Sequence, residues 1–194
     1  SGTHWLGNIL ASSEIKVNIE ERPIFAWVTE AAVDYKKRNK LLPFIISYYK
    51  LARFFSKKHF ADKSHPNLWL IDDLYSRLPH SYFIGIIRDP HATIASMLVH
   101  KGVLKWIHNW RDYSIPNEFL GITLKNKEEY AAMSIEEKCV LRWIAHKNKM
   151  EEVQKKYFGR VMIVNYEELC NNVEKEIGKI DDFLELEENL PKPN

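Results

Sequence analysis

Two short apolar runs, each followed by a polar junction and a helical pattern, limit the possible fold of this chain more than any other feature. Residues 82–87 read YFIGII, a continuous apolar run typical of a strand buried on both faces of a parallel sheet. Asp89 and Pro90 follow and suit the N-cap and the first position of a helix. A second run, VMIV at residues 161–164, also precedes a helical pattern. Strands that alternate with helices predict an α/β fold, with a parallel sheet flanked by helices on both faces.

Hydrophobic spacing predicts the other elements. A short strand or extended segment is expected over residues 23–28, which read PIFAWV. Residues 103–134 lack a clean period and contain Pro116 and Gly121, which predicts a lid or acceptor loop. The longest predicted helix carries an apolar stripe that predicts its buried face: Val140, Trp143, Ile144, Met150 and Val153. Helices are predicted over residues 3–12, 41–60, 68–78, 90–102, 135–157 and 167–186.

Length and composition set broad limits on the kind of protein. We interpret residues 1–194 as one domain, and we expect it to be truncated at both ends. The 28 Lys and Arg nearly balance the 26 Asp and Glu, so a nucleic-acid partner is not expected. Cys139 and Cys170 are too few for a disulfide framework or a zinc site, which favours a reducing compartment such as the cytoplasm. No membrane span is predicted, although a Golgi enzyme without its anchor would look similar, and the oligomeric state is open.

Ligands of such a sheet bind beyond the carboxyl ends of its strands. Ser1, Gly2 and Thr3 open a helix with small residues whose backbone N–H groups can bind a phosphate, although an ordinary helix cap reads the same way. Arg88 ends the strand at residues 82–87, and Ser96 lies two helical turns past Asp89. A guanidinium and a hydroxyl in those places can bind one phosphate, or they can have purely structural partners.

Residues 62–66, DKSHP, form the third candidate group. Lys63 and His65 are two apart in an extended segment and therefore project to the same side. The lysine can neutralise charge on a transferring group while the histidine takes a proton. A single histidine is more often a surface or core residue, and this chain has 8 of them.

Together these segments resemble the sulfotransferases that use 3′-phosphoadenosine 5′-phosphosulfate (PAPS). Residues 1–6, SGTHWL, are similar to the family's 5′-phosphosulfate loop, and Arg88-Asp89-Pro90 with Ser96 resembles its 3′-phosphate motif. Residues 63–65, KSH, resemble the Lys-Thr-His of cytosolic members, whereas residues 62–64, DKS, equally resemble the Glu-Lys-Thr of bacterial ones. Tyr166 with the two glutamates after it is similar to a further family segment. The resemblance implies a P-loop NTPase-like sulfotransferase fold.

It also implies a role for each matching residue. Gly2, Thr3 and His4 would hold the 5′-phosphosulfate, together with Ser1. Trp5 and Tyr166 would contact the adenine, and Arg88 and Ser96 would bind the 3′-phosphate. His65 would deprotonate the acceptor while Lys63 stabilises the transferring group; in the bacterial pattern Asp62 would act as the base or orient it. No metal is expected, and the acceptor would be a small molecule or a glycan.

The chain also departs from the family's pattern. The basic residue expected before Ser1 lies outside the chain, and His4 stands where the family has a second threonine. The C-terminal Arg-Lys-Gly loop of cytosolic members has no counterpart in this sequence. Two rival functions therefore stay open: a P-loop nucleotide kinase or NTPase, and a non-catalytic nucleotide-binding domain of the same fold. Magnesium dependence would identify the first, and the loss of turnover on His65→Ala would exclude the second.

Overall fold

The computed structural model describes residues 2–13, 15–56, 59–186 and 190–191. Ser1, which was predicted to bind the donor, lies outside these ranges. The described strands are β1 (Ile15–Ile19), β2 (His59–Lys63), β3 (Phe83–Ile87) and β4 (Val161–Asn165). The described helices are α1 (Gly2–Ala11), α2 (Ile24–Val33), α3 (Tyr35–Phe55), α4 (Ile71–Arg77), α5 (Pro90–Val99), α6 (Lys101–His108), α7 (Lys127–Ala132), α8 (Ile135–Lys156), α9 (Tyr166–Asn171) and α10 (Val173–Leu184).

The strands pair in parallel, as predicted. β1 runs beside β2 with Ile15 opposite His59, and β3 runs beside β4 with Phe83 opposite Val161. The predicted α/β class is therefore confirmed. The described strands form two separate pairs, however, rather than the single sheet that was predicted.

Helices cover both faces of the strands. Successive side chains of a strand point in opposite directions, so neighbouring residues of β3 pack against different helices. Ile84 and Ile86 of β3 pack with α1 and α10 in one apolar cluster. Phe83, next to them in sequence, packs on the opposite side, against α3 and α4. Among the described residues, no helix is both long enough and apolar enough to cross a membrane.

The prediction of a strand over residues 23–28 was wrong, because these residues begin α2. Ile24, Val28 and Ala31 of this helix are all 0% exposed. Their spacing of four and then three residues is the helical period, which extends past the short window that suggested a strand. The long buried face, packed against α3, overrides the β-propensity of the apolar run.

Two strands were missed by the sequence analysis. β1 reads IKVNI and β2 reads HFADK, and neither is apolar throughout. The helix predicted over residues 41–60 instead occupies Tyr35–Phe55, and its predicted end falls in β2. The helix predicted over residues 68–78 begins as a 3₁₀ turn at His65–Leu70, and the helix predicted over residues 167–186 is divided into α9 and α10.

The segment at residues 103–134 is more regular than predicted. It contains most of α6, two 3₁₀ turns and α7. Trp110, Phe119, Ile122 and Tyr130 are at most 4% exposed, so the segment contributes to the core. Its irregular spacing reflects short helical turns joined at changing angles. A role as a lid over an acceptor stays a prediction.

Helix α8 was predicted correctly in extent, but its buried face was predicted only in part. Ser134 caps it through a capping box with Glu137. Val140 and Ile144, assigned to the buried face, are 36% and 41% exposed. The buried residues of the helix are Lys138, Cys139, Arg142 and Val153, of which Val153 was predicted. An arginine can lie inward here because the aromatic rings of residues 103–134 accept its guanidinium on their faces.

Candidate active site

A cavity of about 1450 Å³ lies between the two strand pairs and reaches the carboxyl ends of β2 and β3. Side chains of β1, β2 and β3 line its inner part. Most of the sequence-predicted site residues also line it: Gly2, Thr3, His4, Asp62, Lys63, His65, Arg88 and Ser96. Trp5 packs instead into the apolar cluster of α1 and α10, and Tyr166 lies at the start of α9.

The N-terminus of α1 supplies backbone N–H groups that the helix itself cannot satisfy. Gly2 lies against the Tyr166 ring so closely that a Cβ atom at Gly2 would be 2.3 Å from Cδ2 of the ring. A glycine is therefore required here for close packing rather than for an unusual backbone angle. The contact joins the phosphate-loop candidate to the junction after β4.

Arg88 follows β3 and lies over the same ring, with its guanidinium carbon 4.9 Å from the Tyr166 centroid. No carboxylate of the described residues forms an ion pair with it. Asp89 caps α5 by accepting a hydrogen bond from the Ala92 N–H at 2.8 Å, as predicted. The Asp89 N–H in turn donates to Glu167 at 3.0 Å. The structure therefore holds Arg88 by its ring contact and leaves its charge available to an anion.

A glutamate that the sequence analysis missed lies at the centre of the candidate catalytic group. Lys63 Nζ donates a very short hydrogen bond to Oε1 of Glu20. His65 Nδ1 lies 3.9 Å from the same oxygen, which is too far for a direct hydrogen bond. His4 completes the group, with its Nδ1 3.3 Å from Lys63 Nζ.

Burial and these contacts shift the pKa values of Glu20, His65 and His4. The contacts of Glu20 with His65 and then Lys63 outweigh burial and lower the pKa of its carboxyl to about 2. Burial lowers the pKa of His65 below its ordinary value of 6.5, and the nearby Glu20 opposes that shift. Burial and then Lys63 lower the pKa of His4. At neutral pH the site therefore contains an anionic Glu20 beside a neutral His65 that can accept a proton.

Asp62 lies in a different environment from Lys63, since adjacent residues of a strand face opposite ways. Its carboxylate accepts hydrogen bonds from Asn18, Tyr49 and Asn67, each at 2.8 Å. Burial raises the pKa of Asp62 in spite of these bonds. The carboxylate is thus held by three donors that are not part of the Glu20 group.

Glu20 was missed because β1 was missed. It is the first residue after that strand, which puts it at the carboxyl end of the strand pair that also carries Lys63. It also has a positive φ of 54°, which turns the chain sharply away from the strand. The alternation of Ile15, Val17 and Ile19 was the available signal, but it spans only five residues.

Two aromatic rings lie near the His65 ring. The Phe25 and Trp106 ring centroids are 6.2 and 5.8 Å from that of His65. Trp106 also lines the cavity and lies 5.6 Å from the guanidinium carbon of Arg142. Side-chain contacts thus join His4 to Glu20, Glu20 to His65, His65 to Trp106 and Trp106 to Arg142 in one continuous series.

This arrangement of a helix N-terminus, two cations and a neutral imidazole around one cavity is typical of enzymes that transfer anionic groups. The sulfotransferase family model matches residues 43–189, which is more than half of the chain. The chain therefore belongs to the sulfotransferase family, whose fold is P-loop-like. The match includes Lys63, His65, Arg88 and Tyr166 but does not extend to Gly2 or Glu20. No curated protein matches the chain.

Proposed function

We propose that this protein transfers a sulfuryl group from PAPS to an acceptor hydroxyl or amine and releases adenosine 3′,5′-bisphosphate. The observation that carries the proposal is that one cavity brings together the α1 N-terminus, Lys63, His65 and Arg88. The family match favours sulfuryl transfer over the kinase alternative. A small molecule or a glycan is the expected class of acceptor.

The residues present fit a nucleotide that carries two separate anionic groups. Gly2, Thr3 and His4 are the first residues of a helix of 10 residues. The backbone N–H groups and the dipole at this end of the helix favour a bound phosphate. Arg88, without a carboxylate partner among the described residues, is proposed to bind the 3′-phosphate. Ser96 is exposed on α5 and lines the same cavity, so its hydroxyl is available to that phosphate.

The two aromatic residues assigned to the adenine receive different roles. Tyr166 carries Arg88 on its face and closes over Gly2, so it positions both phosphate-binding groups. Trp5 supports α1 from the apolar cluster behind the helix. We therefore propose Tyr166 for the contact with the nucleotide and an indirect role for Trp5.

Neutral His65 is proposed as the general base. It takes the acceptor proton as the acceptor oxygen or nitrogen forms a bond to sulfur and the bond from sulfur to the phosphate oxygen breaks. Lys63 stabilises negative charge on the sulfonate and on the departing phosphate. Glu20 is a positioning residue, because its carboxylate contacts both His65 and Lys63. Asp62 is not favoured as the base, since its oxygens already accept three hydrogen bonds.

Calorimetric titration with adenosine 3′,5′-bisphosphate, 5′-AMP and ATP without magnesium tests the donor site. We expect the bisphosphate to bind far more tightly than the other two, and Arg88→Ala to weaken its binding about 10- to 100-fold. Arg160→Ala is a matched control, since Arg160 also lies on a tyrosine ring, 4.5 Å from the Tyr82 centroid. Equal binding of all three nucleotides, or equal losses in both variants, would contradict the proposal.

His65→Ala separates catalysis from binding in the same experiment. Bisphosphate affinity should be retained while turnover falls about 10²- to 10⁴-fold, the usual contribution of a general base. Unchanged turnover would remove His65 from the mechanism.

A further inference from the structure

Arg142 is a buried cation that has no counter-anion in the described part of the chain. The residue is 3% exposed, and its buried Nε has no hydrogen-bond partner among the described residues. Its guanidinium carbon lies 4.7 Å from the Phe119 ring centroid and 5.6 Å from that of Trp106. The only hydrogen bond of its guanidinium within the described ranges is a weak one, from Nη1 to the Met97 sulfur at 3.7 Å. Among the described residues, no carboxylate forms an ion pair with it.

The polar groups around Arg142 are neutral and cannot balance its charge. His146 Nδ1 bonds to the Arg142 carbonyl at 2.9 Å, while its Nε2 accepts from Trp69. Burial lowers the pKa of His146 well below its usual value, so this imidazole is uncharged. Burial also raises the pKa values of the Tyr130 hydroxyl and the Cys139 thiol, which keeps both protonated.

A buried, uncompensated charge is strongly unfavourable unless an anion approaches it. Arg142 lines the large cavity together with Trp106 and His65, so an anion can reach it from that side. Trp106 connects His65 to Arg142, whereas Glu20 connects His65 to Lys63 and His4 beside the candidate phosphate loop at the start of α1. The position of Arg142 is therefore that of the acceptor rather than of the donor.

We propose that Arg142 binds an anionic group of the acceptor, so that the preferred acceptors are hydroxylated carboxylates or other hydroxylated anions. The acceptor hydroxyl lies at His65, its anionic group lies at Arg142, and Trp106 contacts the part between them. A planar guanidinium presents paired N–H donors that match the two oxygens of a carboxylate. This substrate class rests on the proposed sulfotransferase function.

Equilibrium binding of a matched pair of probes tests the inference without requiring turnover. The probes are 4-hydroxyphenylacetate and its neutral amide, titrated into the purified protein with and without saturating adenosine 3′,5′-bisphosphate. We expect the carboxylate to bind about 10- to 100-fold more tightly than the amide. Arg142→Met should abolish this preference, and Arg142→Lys should retain part of it.

Lys138→Met is the matched control, since Lys138 is a buried cation of the same helix that lies 5.2 Å from the Tyr130 ring centroid. It should leave the preference unchanged. Thermal unfolding of each variant checks that the fold is retained, and Arg142→Lys serves if Arg142→Met does not fold. Equal binding of acid and amide, no binding of either, or an unchanged preference in the Arg142 variants would overturn the inference. Failure of the bisphosphate to bind would instead count against the proposed function.

Discussion

Glu20 shows how one side chain can set both the position and the ionisation of its neighbours. Its carboxylate contacts Lys63 and His65 at the same oxygen, and its own pKa is lowered to about 2. The anion therefore persists throughout the pH range in which enzymes are usually assayed. Since it opposes the effect of burial on His65, it also keeps the pKa of that imidazole from falling further.

The shifted pKa of His65 predicts the pH dependence of the reaction. A general base must be neutral to accept a proton, so activity should be lost as the pH falls through the pKa of His65. Burial lowers that pKa, so the acid limb of kcat/KM should have its midpoint below 6.5. A pH–rate profile measures this directly.

Glu20→Gln should move the acid limb to still lower pH, because it removes the anion that raises the pKa of His65. The maximal rate should fall about ten-fold or more as His65 loses its positioning contact. Asp62→Asn is the control variant, and the limb should keep its midpoint there. A loss of turnover of about 10²-fold or more in Asp62→Asn, with the limb unmoved in Glu20→Gln, would instead make Asp62 the base.

At the scale of single elements, the start of α1 depends on how closely it approaches the junction after β4. Gly2 leaves no room for a Cβ beneath the Tyr166 ring, and that ring also supports Arg88. A change at the N-terminus of α1 is therefore transmitted to the candidate 3′-phosphate site by direct contact.

Gly2→Ala should displace the Tyr166 ring and lower the affinity for adenosine 3′,5′-bisphosphate about ten-fold. Gly178→Ala in α10 is the matched control, because a Cβ there meets nothing within 4 Å. It should leave affinity unchanged and raise the free energy of unfolding by about 0.5–1 kcal/mol. Calorimetry and denaturant unfolding give the two readings. Unchanged affinity in Gly2→Ala would show that Tyr166 can move without affecting the site.

The elements differ in how much of them the sequence could reveal. β3 and β4 were found because both faces of each strand are covered, which requires apolar residues throughout. β1 and β2 carry polar side chains such as Asn18 and Asp62, which bond to each other. A hydrogen bond between side chains of two strands cannot be predicted from the sequence of either segment alone. The inward face of α8 was missed for a related reason, since Arg142 lies between rings from a distant part of the chain.

At the scale of the whole molecule, the candidate site spans both strand pairs. Lys63 is the last residue of β2 and contacts His4 of α1, whereas Arg88 follows β3 and Ser96 lies in α5. The sequence could predict that these motifs lie near one another, because each follows or ends a parallel strand, although the strands form two pairs rather than one sheet. It could not place Glu20 or Arg142, whose importance depends on which charges they meet in three dimensions.

A ligand that bridges the two strand pairs should stabilise both. Adenosine 3′,5′-bisphosphate at about 100 times its Kd should raise the melting temperature by roughly 5–10 °C. Amide hydrogen exchange should slow at residues 2–7 and at residues 88–96 together, and Arg88→Ala should remove both effects. Protection of only one of these segments would mean that the nucleotide does not span the cavity.

The position of Trp106 gives the protein an optical reporter of its own. Its indole lies beside His65 and near Arg142, and Trp143 also lines the cavity. The fluorescence of an indole responds to nearby charge and to water, so an acceptor that enters this space should change both its intensity and its emission wavelength. Candidate acceptors can therefore be screened without any label, and the Trp106→Phe variant, which keeps the other five tryptophans, is the control that should lose the response.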